Sequence, residues 1–142
     1  MLSALLLGTG LLVASLLSFS VAIVLAVSLM SREIRAGYSG ERFWKNVAIM
    51  IVITLVMAAA HLIEIAMWAA AFLAIGEIST FEKAFYFSAE NYTSLGYGDI
   101  VLSERWRLLG PLEAINGLLL FGLSTAAMFA ALSRLVSGRL HS

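Results

Sequence analysis

The sequence predicts an all-α membrane protein: three transmembrane helices, with a shorter re-entrant helix and loop between the second and third. Three observations predict it. Of 142 residues, 61% are hydrophobic and only 13% charged, with a mean hydropathy of +0.96; a soluble domain runs to about half apolar and a quarter charged. Three apolar stretches, 2–30, 47–76 and 108–136, are each long enough for a helix to cross the hydrocarbon core. Between the last two lies a segment, 79–98, too polar and too short to span, which ends in Gly96-Tyr97-Gly98.

Residues 2–30 carry no charge, and at ~1.5 Å per residue a helix of that length exceeds the ~30 Å core. A cleaved signal peptide is the competing reading, but the stretch has no basic n-region and is about twice as long as an apolar h-region. A spanning helix over 1–30 is therefore expected, followed by a linker at 31–46. Phe43 and Trp44 stand where an interfacial anchor belongs. The second stretch is interrupted only by His61 and Glu64, and the third contains Glu113. Six basic residues (Arg32, Arg35, Arg42 and Lys45 in the linker, Arg134 and Arg139 near the 137–142 tail) face three (Lys83, Arg105 and Arg107). That bias places linker and C-terminus in the cytoplasm, with Met1 and the glycine motif outside.

Residues 80–93 are expected to form the short helix. Ser79 and Glu82 make a Ser-x-x-Glu capping box, and Phe81, Phe85 and Ala89 recur at helical spacing. An amphipathic surface helix has the same pattern. As a re-entrant helix it would hold non-helical backbone at membrane depth, allowed only where protein or water covers it. Its partly negative C-terminal carbonyls would end at Ser94, an arrangement that favours a cation. The nine basic and nine acidic residues cancel, which argues against nucleic-acid binding. The lack of cysteine removes disulfides, thiolate metal sites and cysteine catalysis. No span carries periodic arginines, so no voltage sensor is expected.

The stretch Thr93-Ser94-Leu95-Gly96-Tyr97-Gly98-Asp99 resembles the potassium-channel motif Thr-Val-Gly-Tyr-Gly-Asp, with Leu95 for valine and Ser94 for threonine. Tyr86 and Phe87 match the aromatic cuff around that family's filter. Glu90 and Asp99 match the carboxylates that share a proton behind the filter in some bacterial channels. Trp106 matches an interfacial tryptophan, and Gly117-x-x-x-Phe121-Gly122 is similar to the inner-helix stretch, at a spacing one residue shorter than the family's. The resemblance covers 47–136 and is to the bacterial potassium-channel pore-domain family, here with an extra N-terminal transmembrane helix.

It implies an outer helix, a pore helix at 80–93, a filter at 94–98 and an inner helix at 108–136. Consecutive carbonyls on one side of a strand need alternating left- and right-handed dihedrals, and glycine takes the left-handed half without steric cost. Four such strands replace the hydration shell of a potassium ion, so a lipid-embedded homotetramer is implied. Potassium, as permeant ion, would sit at Ser94, Leu95, Gly96 and Tyr97, with the Gly98 carbonyl completing the filter. Neither a cofactor, covalent substrate nor enzymatic activity is implied. Thr93, Glu90, Asp99, Tyr86 and Phe87 would support the filter, and the Ser94 hydroxyl would face the innermost site or bond its own backbone.

Gly117 and Gly122 are either a gating hinge or close-packing positions; Phe121, Thr125 and Met128 are candidate cavity residues. His61, Glu64 and Glu113, ionisable groups within spans, are expected to clamp outer to inner helix. A pH sensor at His61 and a metal site are the competing readings. Two functional alternatives stay open: a poorly selective cation channel, should Ser94 loosen the innermost site, and a non-conducting scaffold or sensor that keeps the channel fold.

Overall fold

A computed structural model describes residues 1–35 and 42–140, and all its regular elements there are helices: α1 (Leu2–Arg35), α2 (Phe43–Ala74), α3 (Phe81–Tyr92) and α4 (Leu109–Leu140). Three of them are long and apolar enough to cross a membrane, over Leu2–Arg32, Phe43–Ala74 and Leu109–Ser137. Helix α1 continues past residue 30 and α2 begins before residue 47, so helix takes up both ends of the 31–46 linker. Residues 36–41 of that linker and 141–142 of the tail lie outside the described residues, as do the side chains of Arg35 and Arg139.

Helix α2 ends in a Schellman motif. Gly76, at φ +75°, donates its N–H to Leu73 O at 3.0 Å, and Glu77 donates to Phe72 O at 3.2 Å. Glycine fits there because the position after the cap is left-handed. Glu77 then holds the loop beyond Asp99, its two carboxylate oxygens accepting from the Ser103 N–H and hydroxyl, both at 2.7 Å. The α3 cap differs from the expected Ser79–Glu82 box. Thr80 is the N-cap and accepts from Lys83 N–H at 3.4 Å. Shifting the cap by one residue puts lysine at the reciprocal position, so only half of a capping box forms.

Helix α3 lies against α2 and α4, and α1 packs along α2 and α4. One apolar cluster joins Phe19, Ala26 and Met30 of α1 to Ile53 and Met57 of α2 and to Leu120 of α4. The other gathers Trp68, Phe72, Ala84, Phe87 and Leu109 around the top of α3. Gly117 decides how close α3 and α4 come. A Cβ there would stand 1.9 Å from the Tyr92 carbonyl oxygen, whereas one on Gly122 would meet nothing within 4 Å. Close packing is thus the structural role of Gly117.

The two glycines should respond differently to one methyl group. Gly117→Ala is expected to destabilise the fold by about 1–3 kcal/mol or more, because the obstacle is backbone. Gly122→Ala should leave stability within about 0.5 kcal/mol of the parent. Thermal unfolding of both variants in nanodiscs checks the contrast, and equal melting temperatures would contradict it.

Candidate functional site

The Gly-Tyr-Gly loop begins where α3 ends, with a second Schellman motif in which serine replaces glycine. Ser94 donates its N–H to Asn91 O at 2.9 Å and Leu95 donates to Glu90 O at 2.8 Å. Ser94 sits at φ +59°, the one non-glycine residue with positive φ among those described. A left-handed L-residue costs roughly 1–2 kcal/mol, so a side chain kept here has to be justified by more than chain reversal. Gly96 follows at φ +54° and Gly98 at φ +76°, while Leu95 and Tyr97 between them stay negative. Handedness alternates at every step from 94 to 98. That is the backbone form in which successive carbonyls share one side.

Thr93 is the C-cap, and its hydroxyl donates to Ala89 O at 2.7 Å. The strand itself is exposed, with Leu95 at 55% and Tyr97 at 68%. Behind it, Tyr86 donates its hydroxyl to Asp99 Oδ2 at 3.1 Å, and Asp99 Oδ1 accepts the Ile100 N–H at 3.1 Å. The carboxyl of Glu90, one turn further along α3, and that of Asp99 hold the Tyr86 phenol above its ordinary range. Glu90 is buried, with Oε1 unpartnered. Among the described residues no hydrogen bond joins Glu90 to Asp99; the Tyr86 phenol bonds Asp99. Phe87 is buried edge-on to Phe72, at 5.0 Å between ring centres.

His61, Glu64 and Glu113 do not bond one another: His61 ties α2 to α3 and to α4, the expected outer-to-inner link, whereas Glu64 ties α2 to α1 and Glu113 ties α4 to α3. His61 Nδ1 lies 2.7 Å from the Tyr92 hydroxyl and Nε2 lies 3.2 Å from Ser124 Oγ. Ser124 already donates to Phe121 O at 2.9 Å. Proton inventory therefore assigns the neutral tautomer with hydrogen on Nε2, Nδ1 accepting from Tyr92. Phe121, expected in a cavity, stacks on the His61 ring at 4.5 Å. Thr125 donates to Phe121 O at 2.8 Å. Met128 Sδ lies 3.7 Å from the Thr54 hydroxyl, which donates to Met50 O at 2.8 Å.

Glu64 instead pairs with Ser18 of α1, at 2.5 Å, whose hydroxyl also lies 3.0 Å from Ala14 O and from Ser15 O. Glu113 pairs with Ser88 of α3, whose hydroxyl also lies 2.8 Å from Ile65 O. One hydroxyl proton cannot serve both neighbours, so the Glu113 carboxyl supplies the second. A further node was not foreseen: Ser15 of α1 accepts from Asn116 Nδ2 at 2.9 Å and Trp68 Nε1 at 3.3 Å. Asn116, a polar residue inside an apolar span three positions after Glu113, was the signal for it. Among the described residues no three His, Asp or Glu side chains gather as a metal site.

Two long spans flanking a short helix and a carbonyl-presenting loop make up the core of a channel pore. The chain belongs to the ion-channel family: the family model described as "Ion channel" matches residues 51–134, from within α2, through α3 and the loop, into α4. No curated protein and no solved structure matches the chain.

The Ser88–Glu113 link predicts a specific non-additivity. Ser88→Ala leaves a buried carboxyl without a partner and should cost about 1–3 kcal/mol. Adding Glu113→Leu should recover most of that loss, because removing both partners leaves nothing unsatisfied. Thermal unfolding of the single and double variants reads the coupling; strictly additive losses would contradict it.

Proposed function

We propose that this ion-channel protein is a homotetrameric, potassium-selective channel of the cell membrane that conducts passively and catalyses no covalent chemistry. The observation that carries this reading is the alternation of handedness at Ser94, Gly96 and Gly98, with Leu95 and Tyr97 of opposite sign between them. Four copies of such a strand around an axis present stacked rings of carbonyls in place of a hydration shell. Exposure of the strand along 93–99 supports the same reading. Backbone at membrane depth has to be covered by protein or face a water-filled path, and neighbouring copies provide both. Potassium binds the carbonyls of Ser94, Leu95, Gly96, Tyr97 and Gly98, the Ser94 hydroxyl completing the innermost ring. The filter faces outward, and the basic 31–46 linker and the C-terminus face the cytoplasm.

The test is a bi-ionic measurement on protein reconstituted in planar bilayers, with potassium on one side and sodium on the other. A reversal potential close to the potassium equilibrium value is expected. A value near zero would favour the poorly selective alternative, and absence of current in a well-assembled protein the scaffold reading. Gly98→Ala should abolish current, since an L-side chain resists φ +76°.

The phenol between Glu90 and Asp99 leads to a separate expectation. Tyr86→Phe removes the hydroxyl that anchors Asp99 behind the filter and should shift open probability or inactivation while leaving the reversal potential unchanged. Single-channel recording distinguishes the two effects. A lost potassium preference would show that the phenol shapes the conducting strand itself.

A further inference from the structure

We infer that His61 is a proton-operated tie between the end of α3 and α4, which holds while its ring is neutral and slackens when the ring is protonated. The inference concerns regulation and rests on the conduction proposed above. Phe19 of α1, Tyr92 of α3 and Phe121 of α4 surround the imidazole, with ring centres 4.9, 5.8 and 4.5 Å away. Each of the other three helices thus contributes one aromatic ring to a box around His61. Aromatic faces attract a cation, most strongly where water is excluded. Such a box accommodates the imidazole in its charged form as well as its neutral one.

The hydrogen bonds, in contrast, fit only the neutral form. Three of them run in one direction across the bundle. The Tyr92 hydroxyl donates to Nδ1 at 2.7 Å, Nε2–H to Ser124 Oγ at 3.2 Å, and the Ser124 hydroxyl to Phe121 O at 2.9 Å. Every donor has one acceptor and none is spare. A second ring proton goes on Nδ1, where it meets the Tyr92 O–H, so that two donors face each other. Tyr92 is fully buried, and its hydroxyl has no other acceptor among the described residues. The phenol then either parts from the ring or turns to accept, and in both cases a buried O–H loses its partner. Ser124 keeps its bond, so the loss falls on α3.

The ionisable groups around the ring are few. Glu64 stands three residues further along α2 and Glu113 comes from α4, both close to Tyr92. Their hydrogen bonds go to Ser18 and Ser88, so no ion pair fixes the charge of His61. Helix α1 presents Phe19 to it. Tyr92 itself stands two residues before Ser94, the first left-handed position of the carbonyl strand. Weakening its hydroxyl bond loosens the end of α3 from α2 and α4 where that strand begins. Acid is therefore expected to lower conduction through the strand's starting point and to leave ion preference alone.

Two measurements test the tie. Full-length protein with His141→Gln keeps a single histidine, whose isotope-labelled nitrogens can be read by NMR in nanodiscs. At about pH 8 the proton should be on Nε2 with Nδ1 bare, and at about pH 5 on both. A proton on Nδ1 at the higher pH, or a ring still neutral at the lower, would overturn the proposal. In planar bilayers, open probability should fall roughly tenfold over the same range, the fold-change of one lost hydrogen bond. His61→Gln, which does not titrate there, should reduce that response to less than about twofold. Tyr92→Phe has no hydroxyl bond to lose and should flatten the same profile, which serves if His61→Gln folds poorly. A parent current indifferent to pH, or an acid response kept in both variants, would overturn the tie. Absence of any current would remove the conduction reading and this regulatory consequence together, while the NMR result still decides the proton step.

Discussion

The turn that ends α3 controls the rest of the site. A helix ends most cheaply with a left-handed residue, and α2 uses Gly76 for it. Helix α3 uses Ser94 in the same motif, with the same pair of hydrogen bonds running back to Asn91 and Glu90. This makes the last residue of helix termination the first step of the alternation that continues through Gly96 and Gly98. A single motif thus stops the helix and starts the carbonyl strand in phase with it. Glycine at 94 would be less strained, but only serine adds a hydroxyl at the point where helix and strand meet.

That turn is held in place by its surroundings. Gly117 lets α4 touch the carbonyl of Tyr92, two residues before Ser94. The Tyr92 hydroxyl bonds His61 of α2, and His61 bonds Ser124 of α4. Ser88, on the same short helix, reaches Ile65 of α2 and Glu113 of α4. Helix α3 is therefore tied to both flanking spans at two levels. Helix α1 joins by the same means, through Ser15 to Trp68 and Asn116 and through Ser18 to Glu64. Its role is integral to the packing of the flanking spans, although the matched family region begins only at residue 51.

The architecture was legible because each feature is local. Apolar length marks the spans, helical spacing marks α3, and Gly96 and Gly98 mark positions where φ turns positive. The polar contacts were not legible. Ser15 and Asn116 are 101 positions apart, and Ser18 and Glu64 are 46 apart, so no periodicity links them. Three ionisable groups in neighbouring spans suggested a mutual clamp, but each bonds a hydroxyl rather than another of the three, and only His61 reaches from α2 to α4. A serine hydroxyl fits between close-packed helices where a second carboxyl does not. The cap of α3 was missed by one residue, since Ser79 and Thr80 are both good caps and tertiary packing chose between them. The left-handed backbone of Ser94 depends on a helix-end geometry that composition does not reveal.

The central claim is that the strand from Ser94 to Gly98 lines a fourfold axis with its carbonyls. Electron cryomicroscopy of the protein in lipid nanodiscs, prepared in potassium, tests it most directly. Four copies are expected, their 94–98 strands converging on the axis with a column of ion density between the carbonyls. A particle of another symmetry, or four copies with these strands facing lipid or splayed from an axis without density, would contradict it.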